Sequence, residues 1–157
     1  MWPVVGGACH AGEVELTARV IDEIPRGNLR VPRSEFVAVW ADAERLCDEQ
    51  ERGGVGGGWY AAGVAHTCRW IAGATVVFNY PHGPKARPAS APITSREARA
   101  HEELIEAEVL AAERMAIRHP NGIEGRPGWL DAIAATLTWV WRGSGVLPLE
   151  IRRAEAG

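Results

Sequence analysis

Cys9, Cys47, His66 and Cys68 could together offer the four sulfur and nitrogen ligands that zinc takes. Their spacing argues against it. His66 and Cys68 lie two residues apart, which on a helix turns them about 200° from each other. The chain contains neither a Cys-x-x-Cys nor a His-x-x-x-His pair. Cys47 falls on an apolar helical stripe, where a free cysteine packs as a small hydrophobe. Three cysteines without paired spacing also give no disulfide framework. The reading is therefore no metal and no cofactor, with Cys9, Cys47, His66 and Cys68 as the weaker alternative.

Carboxylates are the next candidates. Glu97 and His101, and Glu102 and Glu106, stand four residues apart in an acidic segment. A two-metal carboxylate bundle needs Glu-x-x-His pairs from two helices, and no second helix supplies one. A solvated face accounts for them, with Glu97 beside His101, Glu103 beside Arg99 and Glu113 ahead of Arg118; each such pair contributes about 0.2–0.5 kcal/mol. The run Gly53–Gly58 resembles a phosphate cradle only in composition. A phosphate loop follows a strand and opens with Lys-Ser/Thr, whereas Trp59-Tyr60 follow here. Ser34, Ser90, Ser95 and Ser144 lie at caps or in loops, none within Gly-x-Ser-x-Gly. No catalytic residue is assigned.

The aromatic balance is unusual: seven Trp against two Phe and two Tyr. Trp139 and Trp141 are two apart, so on a helix one indole faces the core and the other leaves it. Trp141 is expected outward. With Trp129 and Leu147 it forms the candidate partner-binding surface, because a partly exposed Trp is the kind of side chain that anchors an interface.

These residues sit on an internal repeat. Gly63-Val64-Ala65-His66-Thr67-Cys68-Arg69-Trp70-Ile71 aligns with Ala132-Ile133-Ala134-Ala135-Thr136-Leu137-Thr138-Trp139-Val140, sharing Thr-x-x-Trp and a following Gly73 or Gly143. Each copy follows a Trp (Trp59, Trp129), a Gly-rich stretch and an acidic amphipathic segment. Phe36, Trp40, Ala43 and Cys47 form one apolar stripe on a helix from Ser34 to about Arg52. A second helix runs from Trp59 to Gly73, a third from a cap at Thr94 or Ser95 to Arg118, and a fourth from Trp129 to Arg142. Residues 13–24 fit strand or helix, with helix slightly favoured. Thr75–Phe78 extends the second helix or forms a short strand. The expected fold is all-α: two tandem helical hairpins in one small bundle. It divides into an irregular N-terminal segment (1–33), repeat 1 (34–80), a Pro-rich linker (81–93) and repeat 2 with its tail (94–157).

Composition narrows the function. Of 17 basic residues 16 are Arg, scattered as codon bias in a GC-rich genome would scatter them, and net charge is −3. That balance gives no basic footprint for nucleic acid; the run Arg26, Arg30 and Arg33 is the local exception. No basic leader precedes an apolar stretch at the N-terminus. The most apolar window, Trp59–Phe78, carries His66 and Arg69 near its middle, which disfavours a membrane span. A cytoplasmic protein that works by binding a protein partner or a second copy of itself, in an accessory, regulatory or immunity-type role, is the leading expectation. An enzyme or small-ligand bundle with a site between the hairpins is the alternative, and a nucleic-acid-associated factor the second.

Overall fold

A computed structural model describes residues 12–53 and 58–149. Five α-helices and one two-stranded antiparallel sheet follow in the order α1 (Ala18–Asp22), α2 (Arg33–Gly53), α3 (Trp59–Ala72), β1 (Thr75–Tyr80), β2 (Gly83–Pro88), α4 (Glu102–Arg118) and α5 (Trp129–Arg142). A 3-10 turn at Arg26–Asn28 joins α1 to α2. The fold is thus mixed α/β and mostly helical, which corrects the all-α expectation.

Helix α2 forms as its stripe predicts, burying Phe36, Val39, Trp40, Ala43 and Cys47. Its sister α3 differs in kind. Eleven of its 14 residues are buried, from Ala61 to Ala72, so it is the central helix of the molecule. Small side chains make this close packing feasible. A Cβ on Gly63 would come within 2.8 Å of both the Ala132 Cβ and the Trp129 carbonyl of α5. Helix α2 packs on α3, α4 packs on α5, and α3 joins the two pairs by lying against α5.

The repeated phrase is visible in these two central helices. Thr67 and Thr136 are both fully buried, and each hydroxyl donates to the carbonyl four residues back, at 2.7 Å to Gly63 and 2.7 Å to Ala132. A buried threonine satisfies its hydroxyl this way without a partner from another element. Trp70 and Trp139 are 1% and 5% exposed. Both helices stop at a left-handed glycine, Gly73 (φ 69°) and Gly143 (φ 61°). The copies diverge afterwards, since among the described residues only α3 is followed by strands.

Two of the prolines that predict a linker, Pro84 and Pro88, are instead part of the sheet. β1 and β2 pair with Val76 opposite Arg87, Phe78 opposite Lys85 and Tyr80 opposite Gly83. Val77 exchanges both backbone hydrogen bonds with Glu13, at 2.9 and 3.0 Å, so its amide points away from β2. By alternation Thr75, Val77 and Asn79 face outward, and so do their partners Pro88, Ala86 and Pro84. Proline is tolerated there because no ladder bond asks for its missing N–H.

Two boundaries also move. Residues 13–17 are extended or irregular and only Ala18–Asp22 is helical, capped by the Thr17 hydroxyl accepting from Val20 N–H. Helix α4 begins at Glu102, not at Thr94 or Ser95. Ser95 has φ 61°, and the Thr94 amide and hydroxyl bond to Glu108 of α4, so this turn caps the helix flank rather than starting it.

The α3–α5 crossing yields a direct test. Gly63→Ala should cost about 1–3 kcal/mol, the usual range for overpacking a dense core, measured by urea denaturation. A loss below about 0.5 kcal/mol would contradict this close approach, since helix propensity alone favours Ala over Gly by about 1 kcal/mol.

Candidate interaction surface

The connector between α1 and α2 brings three arginines to the surface around one buried residue. Asn28 is 3% exposed, and its side-chain amide donates to the carbonyls of Ile71 (2.9 Å) and Ala100 (3.0 Å). This fixes the 3-10 turn to the end of α3 and to the segment before α4. Arg30 N–H donates to the Val140 carbonyl at 2.9 Å, fastening the connector to α5 as well. Arg26 and Arg33, with Leu29 and Val31, line a hollow of about 400 Å³. Arg33 is half-buried and donates to the Ile24 carbonyl at 3.4 Å. Among the described residues no carboxylate pairs with Arg26 or Arg33, as one does with Arg30 at 4.0 Å (Glu102).

Arg30 covers Trp141. Its guanidinium carbon lies 4.4 Å from the ring centroid, and the indole N–H donates to Glu106 at 2.6 Å. Arg142 closes the group, 3.2 Å from Glu113 and 3.8 Å from Glu106. Trp141 is therefore half-buried beneath an arginine, while Trp139 is buried in the core. Trp129 is 9% exposed, and Arg126 lies over both its ring (4.9 Å) and that of Trp59 (5.2 Å). Leu147 is 40% and its neighbour Val146 84% exposed. Trp141 and Leu147 thus offer surface, and Trp129 offers little.

The candidate metal ligands do not converge. Cys9 lies outside the described residues. Cys47 is disulfide-bonded, which removes it as a thiolate and corrects the expectation of unpaired cysteines. Cys68 is a free, fully buried thiol whose ionisation is pushed well up by burial and then by nearby Glu44. The Nε2 of His66 is 3.1 Å from the Ser90 carbonyl, a geometry that requires it to carry the proton and donate. Among the described residues no group of three His, Cys, Asp or Glu is placed to hold a metal. The acidic pairs rearrange too. His101 precedes the first turn of α4, so Glu97 and His101 share no helix, and Glu113 pairs with Arg142 rather than Arg118. The Gly-rich run lies largely outside the described residues.

Two carboxylates that sequence reading passed over prove to be buried anchors. Glu44 is 9% exposed and takes Arg69 in two contacts, 2.6 and 2.8 Å, as well as the Trp40 indole N–H at 3.1 Å. Glu108, 1% exposed, accepts from the Ile93 and Thr94 amides and the Thr94 hydroxyl. A signal for both existed. Glu44 falls on the stripe of Trp40 and Cys47, and Glu108 on that of Ile105 and Ala112; a carboxylate there must be met by buried donors.

No protein-family model, curated protein or solved structure matches the chain. No helix among the described residues is long and apolar enough to cross a membrane.

Two predictions follow from the buried polar groups. Burial, reinforced by Arg69, lowers the His66 pKa from 6.5 to about 4, against the opposing bond to Ser90. The unfolded chain therefore binds the extra proton between those values. The stability conferred by neutral His66 is complete above about pH 6.5 and declines as pH falls toward 4, by up to about 3 kcal/mol. NMR titration should find the ring neutral at pH 5; a midpoint near 6.5 would contradict its enclosure. For the ion pair, Glu44→Ala should destabilise by about 3–5 kcal/mol by leaving Arg69 buried and uncompensated. Chemical denaturation at neutral pH reads this directly.

Proposed function

We propose that the protein acts by binding an acidic partner protein, through the connector Arg26–Arg33 and the C-terminal end of α5. The observation that carries this reading is the pair of arginines, Arg26 and Arg33, lining one hollow with two aliphatic side chains and, among the described residues, no paired carboxylate. A guanidinium offers five donors in a rigid fork matched to carboxylates. Leu29 and Val31 add apolar area to the same hollow. Trp141 under Arg30 lies on the adjoining helix end, so an aromatic anchor borders the charged hollow. Homodimerisation through this surface would require a carboxylate of one copy to enter the hollow of the other.

The compartment bears on the partner. Disulfides persist in oxidising environments and are rare in the cytosol. The disulfide at Cys47 therefore favours an oxidising compartment over the cytoplasm expected from unpaired cysteines, and thiol counting on protein from its native host would decide between them.

Charge reversal tests the surface. Arg26→Glu with Arg33→Glu should leave the melting temperature within about 5 °C, since the pair gives up only one long hydrogen bond. The same variant should lose partner capture from host extract, or self-association by sedimentation, by at least tenfold. Trp141→Ala should lose binding together with some stability, because its indole bonds Glu106. Unchanged binding in the double arginine variant would overturn the proposal.

A further inference from the structure

The β1–β2 hairpin itself carries charge of one sign, the neighbouring carboxylate being that of Glu13, which is bridged to the β1 edge at Val77, away from β2. No Asp or Glu occurs between Arg52 and Glu97, although the whole chain has 20 acidic against 17 basic residues. That acid-free run contains the hairpin, with Lys85 and Arg87 on β2 and His82 in its turn. Net charge averages this segregation away. Each strand has six residues and so spans about 20 Å, more than two Debye lengths at physiological salt. Cations on such an arm act on a partner while much of the acidic body is screened.

Aromatic side chains stand with these cations. Val76, Phe78 and Tyr80 share one face of β1 with their cross-strand partners Arg87, Lys85 and Gly83. Val76 is buried at the base, Phe78 is half-buried, and Tyr80 is 43% exposed toward the tip, with the two rings 6.3 Å apart. Lys85 and Arg87 are exposed, and among the described residues neither forms an ion pair. The outer edge of β2 cannot readily recruit another strand. Of its outward positions Pro84, Ala86 and Pro88, only Ala86 has an amide to offer. The arm is therefore built to engage through side chains rather than by extending its sheet.

We propose that this hairpin binds single-stranded nucleic acid, Lys85 and Arg87 meeting the phosphates while Tyr80 stacks on a base. A β-face combining exposed aromatics with flanking cations is the chemistry that holds unpaired strands. An acidic peptide would also meet the cations, but it brings no planar base to lie on Tyr80, and the polyglutamate arm of the test separates the two. This inference does not rest on the connector site, which lies on other elements.

Fluorescence anisotropy with a labelled 20-nucleotide oligo-dT tests it, beside a labelled polyglutamate peptide of equal length. The full chain should bind the oligonucleotide with a log–log salt slope of about −1.4, the value for two phosphate contacts on a single strand. Lys85→Glu with Arg87→Glu should weaken binding at least tenfold. Tyr80→Ala should weaken it about tenfold while leaving the salt slope unchanged, a split that loss of charge would not produce. Thermal melts should stay at the wild-type value for all these exposed-site variants, and the variants should retain the partner capture assigned to Arg26 and Arg33. Absence of oligonucleotide binding at 50 mM salt would overturn the proposal, as would polyglutamate binding equally well or Tyr80→Ala binding like wild type.

Discussion

The seating of α2 and of the residues before α1 depends on a charge in the most enclosed helix. Arg69 sits near the end of α3, which is buried along nearly its whole length. An unpaired guanidinium at that depth would be costly, since effective desolvation penalties reach several kcal/mol per ion. Glu44 of α2 removes the difficulty with a two-point contact, and the Trp40 indole donates to the same carboxylate. Arg69 also donates to the Gly12 carbonyl at 3.2 Å. One charge pair thus sets α2 on α3 and draws residues 12 and 13 against β1. The residue that speaks against a membrane span is the one that organises the fold.

The remaining interior polar groups follow the same logic. Glu108 gathers the turn at residues 93–94 onto α4, Asn28 holds the connector to two backbone carbonyls, and the two threonines close bonds within their own helices. Among the described residues no buried side-chain nitrogen or oxygen lacks a hydrogen-bond partner. Each of these groups is already committed to holding one element against another. The functional readings rest instead on the arginine- and aromatic-bearing surfaces.

Those surfaces differ in physical character. The connector hollow sets Arg26 and Arg33 beside Leu29 and Val31 on a segment tied to α3, α5 and the approach to α4. The hairpin instead presents cations and a ring on a two-stranded arm whose proline-bearing edge discourages strand addition. Rigid anchoring suits shape-specific contact with another protein, while a charged, aromatic arm suits a flexible polymer.

Periodicity located the four long helices, though not the start of α4 or the short α1. The stripe through Phe36, Trp40 and Cys47 needs one buried face, and the repeated Thr-x-x-Trp phrase needs two equivalent apolar helices; both are read from spacing along the chain. The sheet was not legible in that way. Prolines at 84 and 88 signal a linker because they exclude a helix, and only the pairing with β1, aimed by the bond between Val77 and Glu13, decides that their missing amides face outward. The roles of Glu44 and Glu108 were half legible, as carboxylates on apolar stripes, but their partners come from other elements, 25 residues away for Arg69 and 14 for Thr94. Tertiary structure alone also joined Arg30 to Trp141, since residues far apart in sequence meet only when the connector crosses the end of α5. Local spacing reports which face a residue occupies; what it touches there depends on long-range packing that no single segment encodes.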